Sequence, residues 1–70
     1  MKHIYRKSFD HAFEADETAN GFVLMPGIHA SGPIEVSTSH TDERHCVYVA
    51  FEGEYDADEL FAATGYQRVH

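Results

Sequence analysis

Three segments of this chain alternate hydrophobic and polar side chains, which is the pattern of a strand with one buried face. They are residues 3–9, 34–39 and 45–52. Five polar residues, 40–44, separate the second segment from the third, so the sequence predicts that these two pair as an antiparallel hairpin. A short apolar run at 22–25 is interpreted as a further strand, which stops at the Pro-Gly pair that follows it.

Residues 10–20 fit two structures. The spacing of Phe9 and Phe13 suits a helix that ends at Gly21. The alternation of the first strand also continues into this segment, and Asn20 with Gly21 forms a dipeptide that is common in hairpin turns. The helix is the preferred interpretation, and the hairpin is the alternative.

The C-terminal part of the chain carries signals for the start and the end of a helix. Asp56 is a favourable N-cap residue, and Glu59 stands three residues later, as in a capping box. Phe61 belongs to an apolar stripe, and Gly65 favours termination of the helix. Residues 66–70 are predicted to return as a short edge strand.

These elements predict an α+β fold, in which a small antiparallel sheet carries one or two helices packed on one face. With a helix at 10–20, the four longest predicted strands and the two helices follow the order βαββαβ, which is the ferredoxin-like arrangement. A curved antiparallel sheet with only the C-terminal helix is the alternative. Hydrophobic residues make up 43% of the composition, which is typical of a folded domain, and 70 residues suffice for one domain, 1–70.

The net charge of −7 bounds the partners. Such an acidic chain repels nucleic acids and anionic membranes, so we expect no direct nucleic-acid binding and no membrane association. A basic protein surface is the partner that this charge favours. The single cysteine, Cys46, fits a reducing compartment, and the sequence has neither an apolar leader nor an apolar run of about 20 residues. The sequence therefore predicts a cytoplasmic protein.

Six histidines and one cysteine raise the question of a metal. The densest group of candidate ligands is HTDERHC, which contains His40, Asp42, Glu43, His45 and Cys46. Its spacing matches no standard zinc frame, so neither a metal site nor a cofactor is predicted, and a metal at this group is the alternative. A cysteine within a strand is usually a small structural side chain. No catalytic residues are predicted, and we expect a protein that is not an enzyme.

The densest charged stretch lies in residues 51–60, where five positions are acidic. Capping and the helix macrodipole account for Asp56 and Glu59. The other acids of this stretch remain available for a partner, together with side chains on the sheet face away from the helices and in the turn at 40–44. The predicted partner-binding residues are Glu35, Asp42, Glu43, Tyr48, Glu52, Glu54 and Asp58.

In size and charge, the chain resembles the small acidic inhibitor proteins of bacteriophages, which include anti-CRISPR and anti-restriction proteins. Some of these proteins mimic DNA. The resemblance rests on the five acids of 51–60 in a small α+β domain, and no motif carries it. It implies that the target is the nucleic-acid-binding surface of a basic protein, whose Lys and Arg side chains would pair with these acids.

Two other functions stay open. One is a ferredoxin-like module that senses a ligand or a metal and works as a homodimer through its sheet. The other is a non-enzymatic subunit that binds its partner through the apolar stretch at 22–28. A charge-based contact weakens steeply with ionic strength, whereas burial of apolar surface does not, so salt distinguishes the inhibitor from this last function.

Overall fold

The computed structural model describes residues 1–69 and contains six elements in the order βαββαβ. The strands are β1 (Lys2–Phe9), β2 (Glu35–His40), β3 (His45–Glu52) and β4 (Gln67–Arg68), and the helices are α1 (Ala12–Asn20) and α2 (Asp58–Ala63). The helix predicted over residues 10–20 is confirmed, and the hairpin alternative is wrong. The final strand is shorter than the predicted 66–70, of which His70 lies outside the described residues.

The four strands form one antiparallel sheet in the order β2-β3-β1-β4. β1 and β2 therefore run in the same direction with β3 between them, and α1 connects them. This is the split βαβ arrangement called ferredoxin-like. β1 and β3 pair along all eight residues of each strand, so they form the centre of the sheet. The α+β prediction is confirmed.

The core lies on the sheet face that the helices cover. β3 contributes three side chains with exposed fractions of 0–2%, namely Val47, Val49 and Phe51. Phe61 of α2 stacks on Tyr5 of β1, with ring centroids 4.1 Å apart and an interplanar angle of 9°. Ala15 of α1 is fully buried. Its side chain is small, so the helix can approach the sheet closely at this point. The strand alternation predicted from the sequence therefore identifies the buried face of β3 correctly.

α2 begins later than the capping signals indicate. Its N-cap is Ala57, and no side chain within residues 1–69 forms a capping hydrogen bond there, so the capping box of Asp56 and Glu59 is wrong. Ala57 is buried and its N–H donates to the Tyr5 hydroxyl at 2.9 Å, which fixes the helix start at this residue. The Asp56 carboxylate instead accepts from the Asp58 N–H at 3.2 Å, an Asx-turn that leads into the helix.

The end of α2 at Gly65 is confirmed and forms a Schellman motif. Gly65 has φ of 90°, and its N–H donates to the Ala62 carbonyl at 3.1 Å. The Tyr66 N–H donates to the Phe61 carbonyl at 2.8 Å, and the two rings pack edge to face with centroids 5.3 Å apart. This pair of hydrogen bonds and the apolar contact define the motif.

The strand predicted at 22–25 is wrong, because the structure has no regular element there. Phe22 and Met25 are half-buried and pack against the core, whereas Val23 and Leu24 are 76% and 58% exposed. The inward-facing positions are three residues apart and therefore lack the two-residue period of a strand. The segment therefore contributes two side chains to the core from a loop.

Candidate functional site

The sheet face opposite the helices carries a balanced set of charges. Within residues 1–69, the strand register places four charged side chains on it, namely Lys2, Arg6, Glu35 and Glu52. Tyr48 is half-buried at the middle of this face, between Arg6 of β1 and Ser37 of β2. The hairpin β2-β3 alone gives an acidic surface, but β1 adds two cations. The open face is therefore mixed in charge.

The predicted partner-binding residues lie in separate places. Glu35 and Glu52 stand at one end of the sheet, and the exposed Glu54 follows β3 at that same end. Asp42 and Glu43 lie in the turn between β2 and β3, at the opposite end. β2 has six residues, so the two ends are separated by about 20 Å at roughly 3.3 Å per residue. The seven predicted residues do not form one surface.

Asp58 has partners within the fold. Its Oδ1 accepts a hydrogen bond from the Tyr5 hydroxyl at 2.6 Å and another from Arg68 Nη1 at 2.9 Å. The hydrogen bond from Tyr5, together with that from Arg68, holds the pKa of Asp58 below its ordinary value of 3.8. Asp58 therefore joins α2 to β1 and β4, and its charge is neutralised by Arg68.

The polar network continues from Arg68 to a buried histidine. His3 is 2% exposed; its Nδ1 lies 3.0 Å from Arg68 Nη2, and its Nε2 lies 3.0 Å from the Gly53 carbonyl oxygen. Because the guanidinium only donates and the carbonyl only accepts, His3 carries its proton on Nε2. Neutralisation of some of the acids in 51–60 by Arg68 is an alternative that the sequence suggests, but sequence reasoning missed Tyr5 and His3, whose part depends on the pairing of Tyr5 with Arg68 across β1 and β4.

The last residue of β3, the connection to α2 and the first residues of α2, together residues 52–59, form what we call the acidic loop. Its five acids divide by their partners: Asp58 pairs with Arg68, and Glu52 lies 3.5 Å from the N-terminal amine of Met1. The other three are exposed and have no ion pair within residues 1–69, namely Glu54, Asp56 and Glu59. The acidic loop therefore presents three exposed carboxylates outside these ion pairs, of which Asp56 also interacts with the charge of Arg68.

Tyr55 is an exposed aromatic side chain in the middle of these acids. It is 63% exposed, and its ring contacts that of His29 edge to face, with centroids 6.3 Å apart. The predicted site omits Tyr55, although the sequence places it between Glu54 and Asp56. An exposed tyrosine with an acidic residue on either side in the sequence offers both apolar area and a hydroxyl to a partner.

The histidines of the hairpin form a hydrogen-bonded chain with α1. His40 Nδ1 lies 2.9 Å from His45 Nδ1, and His40 Nε2 lies 3.0 Å from Asp16 Oδ1. Cys46 faces the other side of the sheet, where it is buried with its Sγ 3.5 Å from Ser8 Oγ. Within residues 1–69 no three His, Cys, Asp or Glu side chains are gathered for a metal ion. Sequence reasoning missed Asp16, which is distant in the chain.

A shallow apolar groove of about 300 Å³ lies between α1 and the end of α2. Phe22, Val23 and Met25 form one wall, and Tyr66 forms part of another. Lys7 lies at its edge, with Nζ donating to the Thr64 carbonyl at 2.9 Å. Val23, which forms part of the wall, is exposed to solvent. The apolar stretch at 22–28, predicted as a binding surface, is therefore accessible in part.

No helix within residues 1–69 combines the length and the apolar character that a membrane span requires. Comparison with protein-family models, with curated proteins and with solved structures finds no match to this chain. Proposals about its function therefore depend on the side chains described above.

Proposed function

We propose that this protein is a small binding protein that docks on a basic protein surface through the acidic loop and inhibits the partner. The observation that carries the proposal is the presence of three exposed carboxylates without an ion pair in the segment that also exposes Tyr55. Carboxylates that form no internal ion pair can accept hydrogen bonds from Lys and Arg of a partner, and bidentate pairs with Arg are the strongest of these. The tyrosine supplies the kind of aromatic anchor that often dominates binding energy.

The target that this charge favours is the nucleic-acid-binding surface of a protein. Such surfaces are rich in Lys and Arg because they contact phosphates. The net charge of −7 attracts such a partner over long distances and raises the rate of association. Binding there would exclude the nucleic acid, as in the acidic phage inhibitors that the chain resembles in size and charge.

Asp42 and Glu43 have a smaller part in this proposal, because they lie at the other end of the sheet. They add to the long-range attraction without contacting the same patch. Glu35 lies near the acidic loop and Glu52 is its first residue, but both share the open face with Lys2 and Arg6. The contact is therefore centred on Glu54, Asp56 and Glu59, with Tyr55 between them.

The test is a pull-down from nuclease-treated bacterial lysate at 0.1 M and 0.5 M salt, with mass spectrometry of the retained proteins. The immobilised proteins are the wild type, the double variant Glu54→Lys/Glu59→Lys, and the matched control Asp42→Lys/Glu43→Lys. Both double variants change the net charge by the same amount. We expect a basic partner that the wild type and the control retain at 0.1 M salt. The acidic-loop variant should lose it.

Duplex DNA added as a competitor then identifies the surface that is covered. Displacement of the partner by DNA supports a contact at its nucleic-acid-binding surface. Equal loss of the partner from both double variants would show attraction by net charge alone and would contradict a site at the acidic loop. The absence of any salt-sensitive partner would contradict the proposal as a whole.

A second candidate is binding through the apolar groove and the adjacent loop. The specific observation is the exposure of Val23 and Leu24, at 76% and 58%, next to the groove. Apolar burial is insensitive to ionic strength, so a partner of this kind stays bound at 0.5 M salt. Such a partner should be lost with Leu24→Asp and retained by the acidic-loop variant.

A further inference from the structure

His40 and His45 face each other at the end of the β2-β3 hairpin. They are the last and first residues of their strands and are directly paired across the sheet. Their Nδ1 atoms are 2.9 Å apart, and Asp16 of α1 contacts the far nitrogen of His40. The hairpin fixes the backbone of both histidines, and the helix fixes the ring of one.

The hydrogen bonds define where the protons lie. The Asp16 carboxylate only accepts, so a neutral His40 ring donates from Nε2 and keeps an unprotonated Nδ1. His45 must then donate from its own Nδ1 to His40 Nδ1. His45 Nε2 carries the remaining lone pair and has no hydrogen-bond partner within residues 1–69. His40 Nδ1 thus already has a lone pair for a metal. His45 Nδ1 gains one when its proton moves to Nε2.

We propose that the Nδ1 atoms of His40 and His45 form a two-imidazole site for a borderline divalent transition metal such as Zn²⁺. Imidazole is a favoured ligand of this class of metal. Metal-bound histidines usually donate their other ring N–H to a carboxylate, and this is the contact that Asp16 makes with His40. This inference is independent of the function proposed for the acidic loop.

Both rings must move for the site to bind the metal. Two nitrogens bound tetrahedrally to zinc at about 2.0–2.1 Å lie roughly 3.3–3.4 Å apart. The rings therefore separate by a few tenths of an ångström, and each ring turns until its Nδ1 lone pair points at the metal. His40 is 36% exposed, so it has room to move. The proton on His45 Nδ1 transfers through solvent to Nε2, which keeps the ring neutral. Water completes the coordination shell, because Cys46 faces the opposite side of the sheet.

Calorimetric titration of ZnCl₂ into the tag-free protein tests this proposal. We expect one zinc per chain for the wild type. Saturable binding should be lost in His40→Ala and in His45→Ala. Asp16→Asn should weaken the affinity by about 10–100-fold, which is the usual effect of removing such an outer carboxylate. His29→Ala is the matched control, because His29 is exposed but lies away from this hairpin, and it should bind like the wild type.

Nitrogen-15 NMR of the imidazole rings gives a second readout that does not depend on affinity. Without metal, His45 should be protonated on Nδ1 and His40 on Nε2. On addition of Zn²⁺, the His45 proton should move to Nε2 while His40 keeps its own. Circular dichroism checks that each variant is folded. Unchanged zinc binding in His45→Ala, or no change of tautomer at His45 with zinc present, would overturn the proposal.

Discussion

The hydroxyl of Tyr5 joins three elements of the fold at a single atom. It donates to Asp58 Oδ1 and accepts from the Ala57 N–H and from Arg68 Nη1. One donated and two accepted hydrogen bonds satisfy a phenol completely. Burial, together with the hydrogen bond to Asp58, raises the pKa of Tyr5 above its ordinary value of 10.0. The neutral hydroxyl is therefore the form that holds α2 and β4 against β1.

Asp58 should make the stability of the protein depend on acidic pH. Its pKa in the folded state lies below the ordinary 3.8, so its contribution is fully present above about 3.8. That contribution is lost as the pH falls from there through the folded-state value, because the unfolded chain takes up the proton first. We expect the difference in free energy of unfolding between wild type and Asp58→Asn to shrink between pH 5 and pH 2.5. Urea unfolding at a series of pH values measures it.

The matched control for this pH series is Asp42→Asn. Asp42 is exposed in the β2-β3 turn, at a distance from Arg68. The free energy of unfolding of Asp42→Asn should follow that of the wild type at every pH of the series. A difference between wild type and Asp58→Asn that stays constant down to pH 2.5 would contradict a stabilising role for the charged carboxylate.

At the scale of elements, the strands and the helix ends differ in how far the sequence specifies them. β3 occupies the predicted 45–52, because alternation over eight residues has one consistent buried face. The start of α2 was set by a tertiary contact, the Ala57 N–H to Tyr5, which local capping signals cannot indicate. The apolar residues at 22–25 are also explained by tertiary contacts, because Phe22 and Met25 pack against the core from a loop.

The Schellman motif at the end of α2 should make Gly65 difficult to replace. Its φ of 90° is costly for any residue with a Cβ, by about 1–2 kcal/mol. A Cβ would also lie 3.2 Å from Lys7 Cε, although that side chain is flexible enough to move. We expect Gly65→Ala to lower the free energy of unfolding by about 1–2 kcal/mol in urea, measured by circular dichroism.

Gly32→Ala is the matched control for this substitution. A Cβ at Gly32 would have no atom within 4 Å, and the residue does not have a positive φ. Its free energy of unfolding should stay the same or rise by up to about 1 kcal/mol, because alanine restricts the unfolded chain. Equal losses in the two variants would mean that the helix end does not require a left-handed residue.

At the scale of the whole molecule, the sequence predicted the arrangement of sheet and helices better than the charge and contacts of the surface. Composition and alternation suffice for an α+β sheet with helices on one face, since each element carries its own pattern. The surfaces depend on which strands become neighbours. β1 brings Lys2 and Arg6 onto the open face, and α1 brings Asp16 to His40. The pairing of β1 with β3 and the contact of α1 with His40 each join elements that are distant in the chain. No local sequence pattern encodes such contacts.

The size of the molecule makes its stability depend on a few aromatic contacts. At about 0.05–0.15 kcal/mol per residue, 70 residues give roughly 4–10 kcal/mol in total. Phe61 is fully buried, and its ring lies within 6.5 Å of four other aromatic rings, those of Tyr5, Phe22, Phe51 and Tyr66. Removing this ring leaves a cavity at the point where α2 meets the sheet.

Phe61→Ala should therefore cost about 3–5 kcal/mol, which is between about a third and all of the total stability. Urea unfolding at 25 °C measures the loss. Phe61→Leu should cost less, about 1–2 kcal/mol, and keeps the effect measurable if the alanine variant does not fold. Phe13→Ala is the control, because Phe13 is 62% exposed on α1 and should change stability by no more than about 0.5 kcal/mol. Similar losses for Phe61→Ala and Phe13→Ala would contradict a core centred on α2, since only burial distinguishes the two rings.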